Sequence, residues 1–114
     1  MLRDLPLSFE CLPGNSPATR VFRLTGPLTL GNMFELQAAL RQDPQSQLTI
    51  LDLSGVPYMD SAGLGVVVNC HVHCQNKGAA MALAGVNERV MEMFRMTRTA
   101  EIMTIADSVA AAQA

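Results

Sequence analysis

Apolar and polar positions alternate along the first quarter of the chain and then change period. The runs "LSFECL" (7–12) and "TRVFRL" (19–24) read as strands, separated by "PGNSP", whose Gly, Asn and Pro mark a hairpin or tight loop. From Thr29 to Gln42, Met33, Phe34, Leu36 and Leu40 recur at helical spacing, and Asp43 and Pro44 stop that helix. "QLTILDLSG" (47–55) is apolar without alternation, as a central or parallel strand buried on both faces requires. Residues 61–76 predict a second helix closed by Asn76-Lys77-Gly78. The run Val66-Val67-Val68 has strand propensity, but the segment is about twice the length of a typical strand. "AAMALAG" (79–85) is another buried strand. Asn87 is placed to cap a third helix carrying Val90, Met91 and Phe94 on one face. "EIMTIA" (101–106) reads as a last strand, and Asp107 as the cap of an Ala-rich final helix.

The order is β-β-α-β-α-β-α-β-α over one domain, 1–114. It predicts an α/β fold, a mixed and mainly parallel sheet of about five strands with about four helices. With four Phe, one Tyr and no Trp, the core falls to Leu, Val, Ala and eight Met. Eight basic residues against ten acids leave no footprint for nucleic acid or an anionic membrane, so the expected partners are proteins or neutral ligands. The N-terminal "RDLP" is unlike a secretory signal, and no apolar run is long enough to span a bilayer, so no membrane insertion is expected. Three cysteines do not suggest a disulfide framework. A reducing, cytoplasmic setting is the expectation.

The chemistry concentrates in "YMDSAGLG" (58–65). A hydrolase elbow would need G-x-S-x-G, but position 59 is Met. The only histidines, His71 and His73, lie roughly 15 Å along the same helix from Ser61, too far to serve as its base. "GLGVVV" has Val68 where a dinucleotide loop has its third glycine, and no P-loop exists. A phosphoacceptor role for Asp52 lacks the acidic magnesium ligands and a placed lysine. In "CHVHC", Cys70, His73 and Cys74 share a helix face with metal-ligand chemistry, and Cys11 is a candidate fourth ligand. Core packing of small cysteines is the simpler reading, and no metal or cofactor is expected. Two readings of Asp60-Ser61 remain. One is a helix cap. In the other, Ser61 accepts a phosphoryl group held by the helix N-terminus, with Gly63 and Gly65 leaving the surface open to a kinase. Leu64 then either anchors the helix in the core or offers an apolar contact beside the hydroxyl.

"LTILDLSGVPYMDSAGLGVV" resembles the signature of the STAS domain in anti-sigma-factor antagonists. "VFRLTGPL" is similar to that family's second strand and turn, and "KGAAMALAGVNERVMEMF" to its later strand, loop and helix. The resemblance spans about residues 7–106 and implies a regulator rather than an enzyme. By it, Ser61 is a phosphorylation site, and Asp60, Gly63, Leu64, Thr29 and Asn87 belong to a docking surface. It further implies partner switching. The unphosphorylated form binds an anti-sigma factor that is a serine kinase, phosphorylation releases it, and a PP2C-type phosphatase resets the protein. The alternative within the family is a STAS subunit that regulates the ATPase of an ABC-type phospholipid transport complex. Two stretches depart from the family pattern. Pro27 and Thr29 stand where relatives carry acids, with Thr29 still suited to cap the first helix, and Arg98 stands where relatives often have glycine.

Overall fold

In the computed structural model, which describes residues 6–42 and 46–113, five strands form one sheet in the order of the sequence. β1 (Ser8–Pro13) and β2 (Thr19–Thr25) form an antiparallel hairpin. β3 (Leu48–Gly55), β4 (Ala80–Ala84) and β5 (Thr104–Ala106) add to it in parallel. α1 (Phe34–Leu40), α2 (Ser61–Asn76) and α3 (Glu88–Met96) each link one parallel strand to the next, and α4 (Val109–Gln113) follows the last. This is the mixed, mainly parallel sheet with four helices that the hydropathy pattern predicts.

Sequential strand order dictates where the helices lie. Right-handed crossovers that advance in one direction across a sheet put every crossover helix on the same face. On that face Phe22, Leu24, Leu51, Leu53, Met81 and Leu83 pack with Leu36, Leu40, Leu64, Val67, Val90 and Phe94. The alternate strand residues Val21, Ile50, Ala82 and Ala84 form a smaller cluster with Val109 and Ala112 of α4 on the other face. β3 is central and buried on both sides, which is why its apolar run does not alternate.

Three boundaries differ from expectation, each because a backbone group is used elsewhere. α1 spans Phe34–Leu40 instead of starting at Thr29. The N–H of Thr29 is taken by Asn32 Oδ1 at 2.8 Å, and Asn32 folds back through its own N–H to Thr29 O at 3.1 Å. Thr29 therefore does not cap the helix. It is buried in the preceding turn, and Met33 occupies the cap position without a side-chain bond. Phe34, counted on the apolar face, is 62% exposed. The Asp43-Pro44 stop lies outside the described residues. β5 starts at Thr104, because Thr99–Glu101 forms a 3-10 turn entered through Arg98 at φ 63°, a left-handed conformation that glycine adopts at no steric cost. At α4, Ser108 and not Asp107 supplies the capping oxygen, accepting from the Ala111 N–H at 3.1 Å.

Phe94 is fully buried, whereas Met96 on the same helix is 77% exposed. In urea denaturation, Phe94→Ala is expected to lose about 3–5 kcal/mol of stability, and Met96→Ala less than about 0.5 kcal/mol.

Candidate functional site at the start of α2

β2, β3 and β4 run parallel and end at one edge, with Thr25 beside Gly55 and Asp52 beside Ala84. The loops that follow them gather there, the usual location of sites on open parallel sheets. Backbone bonds stitch two of these loops together. Leu28 N–H donates to Tyr58 O and Asp60 N–H to Leu28 O, both at 3.2 Å, and Leu28 forms a parallel bridge with Met59. Asn87 joins the third loop to them. Its Oδ1 caps α3 by accepting from the Val90 N–H at 2.8 Å, while its Nδ2 donates to Val56 O at 3.0 Å and Pro57 O at 3.3 Å. Asn87 thus lies beside the segment leading into α2.

Asp60 is the N-cap of α2, with extended backbone at φ −101° and ψ −175°. One carboxylate oxygen accepts from the Gly63 N–H at 2.9 Å and the other from the Leu30 N–H at 3.0 Å. Burial alone raises its pKa, but hydrogen bonds from the N–H groups of Gly63, Leu30 and Ala62 outweigh that effect and hold it below the usual aspartate value. Ser61, the first residue of the helix, is exposed. Capping and exposure therefore fall on different residues.

The two glycines do different jobs. A Cβ on Gly63 would sit 2.1 Å from the Leu28 carbonyl oxygen, so this position lets the loop of residues 26–33 press against the helix. Gly65 has nothing within 4 Å of such a Cβ, and the open surface expected of both belongs to Gly65 alone. Leu64 is in the core, the first of its two predicted roles. Of the docking residues named from sequence, Thr29, Gly63 and Leu64 lie beneath the surface as supports. Asp60 is half-buried, and Ser61 and Asn87 are exposed.

Two exposed apolar residues, Leu30 and Phe34, are not among the docking residues named from sequence. Leu30 is 58% exposed with its N–H fixed on Asp60, and the exposed Phe34 opens α1 on the same loop. The Arg89 guanidinium stacks over the Tyr58 ring at 5.0 Å, tying α3 to the loop before Asp60. Exposure of an apolar side chain at a loop end leaves no periodic signature. Elsewhere, Asp52 is engaged by the Ser54 hydroxyl at 2.7 Å and by Arg23 at 3.7 Å. Cys70 and Cys74 are buried while Cys11 is exposed, and among the described residues no three His, Cys, Asp or Glu side chains converge on a metal position.

Because Asp60 carries the cap, Ser61→Ala is expected to change stability by less than about 0.5 kcal/mol and Asp60→Ala to lose about 1–2 kcal/mol at neutral pH. The lowered carboxyl makes that contribution complete above the ordinary aspartate pKa of 3.8 and removes it as pH falls through the folded-state value. Urea denaturation repeated in acid should therefore show wild type converging on Asp60→Ala.

The model of the family described as the STAS domain matches residues 12–112. The anti-sigma-B factor antagonist of Listeria monocytogenes is 34% identical over 55 residues, which are 48% of this chain and 48% of that protein. The chain thus matches about half the length of this relative. Among solved structures, the anti-sigma factor antagonist SpoIIAA of Bacillus, in its unphosphorylated form, superposes with a TM-score of 0.75 at 19% identity, covering 88% of this chain and 89% of that one. A sulfate transporter family protein from Wolinella succinogenes superposes equally well, at TM-score 0.75, 20% identity and 84% of both chains. The sheet order, the Asp60-capped helix and the family match over nearly the whole chain lead to one conclusion: this chain belongs to the STAS domain family.

Proposed function

We propose that the protein is an anti-sigma-factor antagonist that works by partner switching through Ser61. The observation that carries this reading is the division of labour at the start of α2. Asp60 holds the helix, so the exposed Ser61 hydroxyl is free to be modified without loss of the fold. The named relative in Listeria, an anti-sigma-B factor antagonist, supports the same direction.

In this reading the unphosphorylated face at Ser61, with the exposed Leu30 held on Asp60 and Asn87 held on the loop before it, docks on an anti-sigma factor that is itself a serine kinase, and a sigma factor is released. Transfer of a phosphoryl group to Ser61 adds about −1.5 to −2 charge. The helix tolerates it, because first-turn N–H groups and the dipole favour an anion. The interface does not, because the new charge adjoins the ionised Asp60 and must be desolvated for docking. A loss of about 3 kcal/mol there is roughly a hundredfold in affinity. A PP2C-type phosphatase closes the cycle by removing the phosphoryl group. The protein itself performs no catalysis in this scheme.

Wild type, Ser61→Ala and Ser61→Asp baits, with bound proteins identified by mass spectrometry, test the proposal. Wild type and Ser61→Ala are expected to retain a small serine kinase, and Ser61→Asp to lose it by at least about tenfold. Retention of a transporter ATPase by all three would instead assign the chain to the transport branch of the family and reduce Ser61 to part of a helix start.

A further inference from the structure

The part of α2 remote from Ser61 borders an open cavity. α2 has 16 residues and α1 has 7, about 24 Å against about 10 Å at 1.5 Å per residue. The shorter helix therefore leaves part of its neighbour's flank without a packing partner. Val66, Asn69, Cys70, His73 and Asn76 recur on that flank at helical spacing, a stripe about 15 Å long. Together with Gln37, Leu40 and Arg41 at the end of α1, they line a cavity of about 340 Å³.

The floor of this cavity is apolar and its rim polar. Leu40, Val66 and Cys70 are buried and belong to the main core. Above them stand the carboxamides of Gln37, Asn69 and Asn76, the His73 imidazole and the Arg41 guanidinium. Among the described residues none of these five side chains makes a hydrogen bond or an ion pair. At the Ser61 end, by contrast, the side chains of Asp60 and Asn87 are bonded to backbone groups on two segments each. The carbonyls that close α1 are also engaged. Those of Ala38 and Ala39 accept from the N–H groups of Arg41 and Gln42, and that of Leu40 from Arg20 Nη2 at 2.7 Å. The Arg41 guanidinium is left facing the cavity.

Charge and volume select the occupant. Among the described residues no acid lines the cavity, and Arg41 is its one guanidinium. The buried Arg20 adds a second positive charge behind Leu40. A cleft of one sign concentrates ligands of the other, and a guanidinium meets a carboxylate with two parallel N–H donors. The volume is at the small end of ligand sites, which run from about 300 to 1,000 Å³. The apolar floor calls for an apolar body on the ligand. We propose that the cavity between α1 and α2 is a binding site for a small organic acid. Arg41 holds the carboxylate, the rim carboxamides and His73 supply further donors, and the apolar body lies over Leu40, Val66 and Cys70. Cys70 is about 14 Å along the helix from Ser61, so this site stands apart from the proposed switch and does not depend on it.

The test titrates octanoate into the full chain, isotope-labelled for amide NMR. Octanol, which lacks the charge, and acetate, which lacks the apolar body, serve as controls. One octanoate per chain is expected to bind with a Kd of about 1 mM or tighter, and both controls at least about tenfold more weakly. The largest shifts should fall in residues 37–41 and 66–76. Arg41→Gln should weaken octanoate by at least about tenfold, and Asn69→Trp, which fills the cleft from its rim, should abolish binding. Both substitutions are at exposed positions, and the same spectra report whether the fold is kept. Absence of saturable shifts would overturn the proposal, as would shifts centred on Leu30 and Phe34. Octanol binding as tightly as octanoate, or an unchanged affinity in Arg41→Gln, would overturn it equally.

Discussion

The carboxylate of Asp60 accepts one hydrogen bond from its own helix and one from a loop thirty residues earlier in the chain. A short side chain shared in this way fixes two backbones at once, the first turn of α2 and the turn that precedes α1. Gly63 makes the sharing possible, because any larger residue would collide with the Leu28 carbonyl. The backbone bonds between Leu28 and residues 58 and 60 complete the joint. Position, exposure and electrostatics of Ser61 all follow from it. The loop cannot move outward without giving up the Leu30 bond to Asp60.

In the proposed switch, this joint lets a site of chemical change sit at the end of a structural helix. A residue that both capped the helix and accepted a phosphoryl group would lose its structural bond on modification. Assigning the cap to Asp60 and the exposed hydroxyl to Ser61 separates the two demands by one residue. The same economy appears inside the domain. Arg20 and Thr49 are joined across β2 and β3 by a buried bond, Nε to Oγ1 at 2.9 Å, and Arg20 Nη2 reaches on to the Leu40 carbonyl of α1 at 2.7 Å.

Much of this was legible in the residues. The first four strands, the Asp60–Ser61 boundary and the Asn87 cap each depend on local chemistry, hydrophobic pattern for a strand and a short polar acceptor before a helix, and appear where expected. Errors occurred where a distant group intervened. Thr29 looks like a cap, but Asn32 and the Leu28–Tyr58 bond draw its segment into a turn, and α1 begins five residues later. Phe34 fits the helical period but faces outward. Asp107 and Ser108 are both competent caps, and Ser108 is the one that accepts from the Ala111 N–H.

The amino-acid order by itself determined the element types, the parallel sheet and the segment in which the exposed serine lies, because these are set by hydrophobic period and by side chains acting on neighbouring backbone. Tertiary structure alone decided which named residues form the surface and which support it. Thr29, Gly63 and Leu64 went inside, while Leu30 and Phe34 remained outside. It also decided that Arg20 would meet Thr49, a residue twenty-nine positions away in sequence. Burial and charge at a position depend on what other strands and loops bring to it, and that information enters only when the sheet closes over the helices.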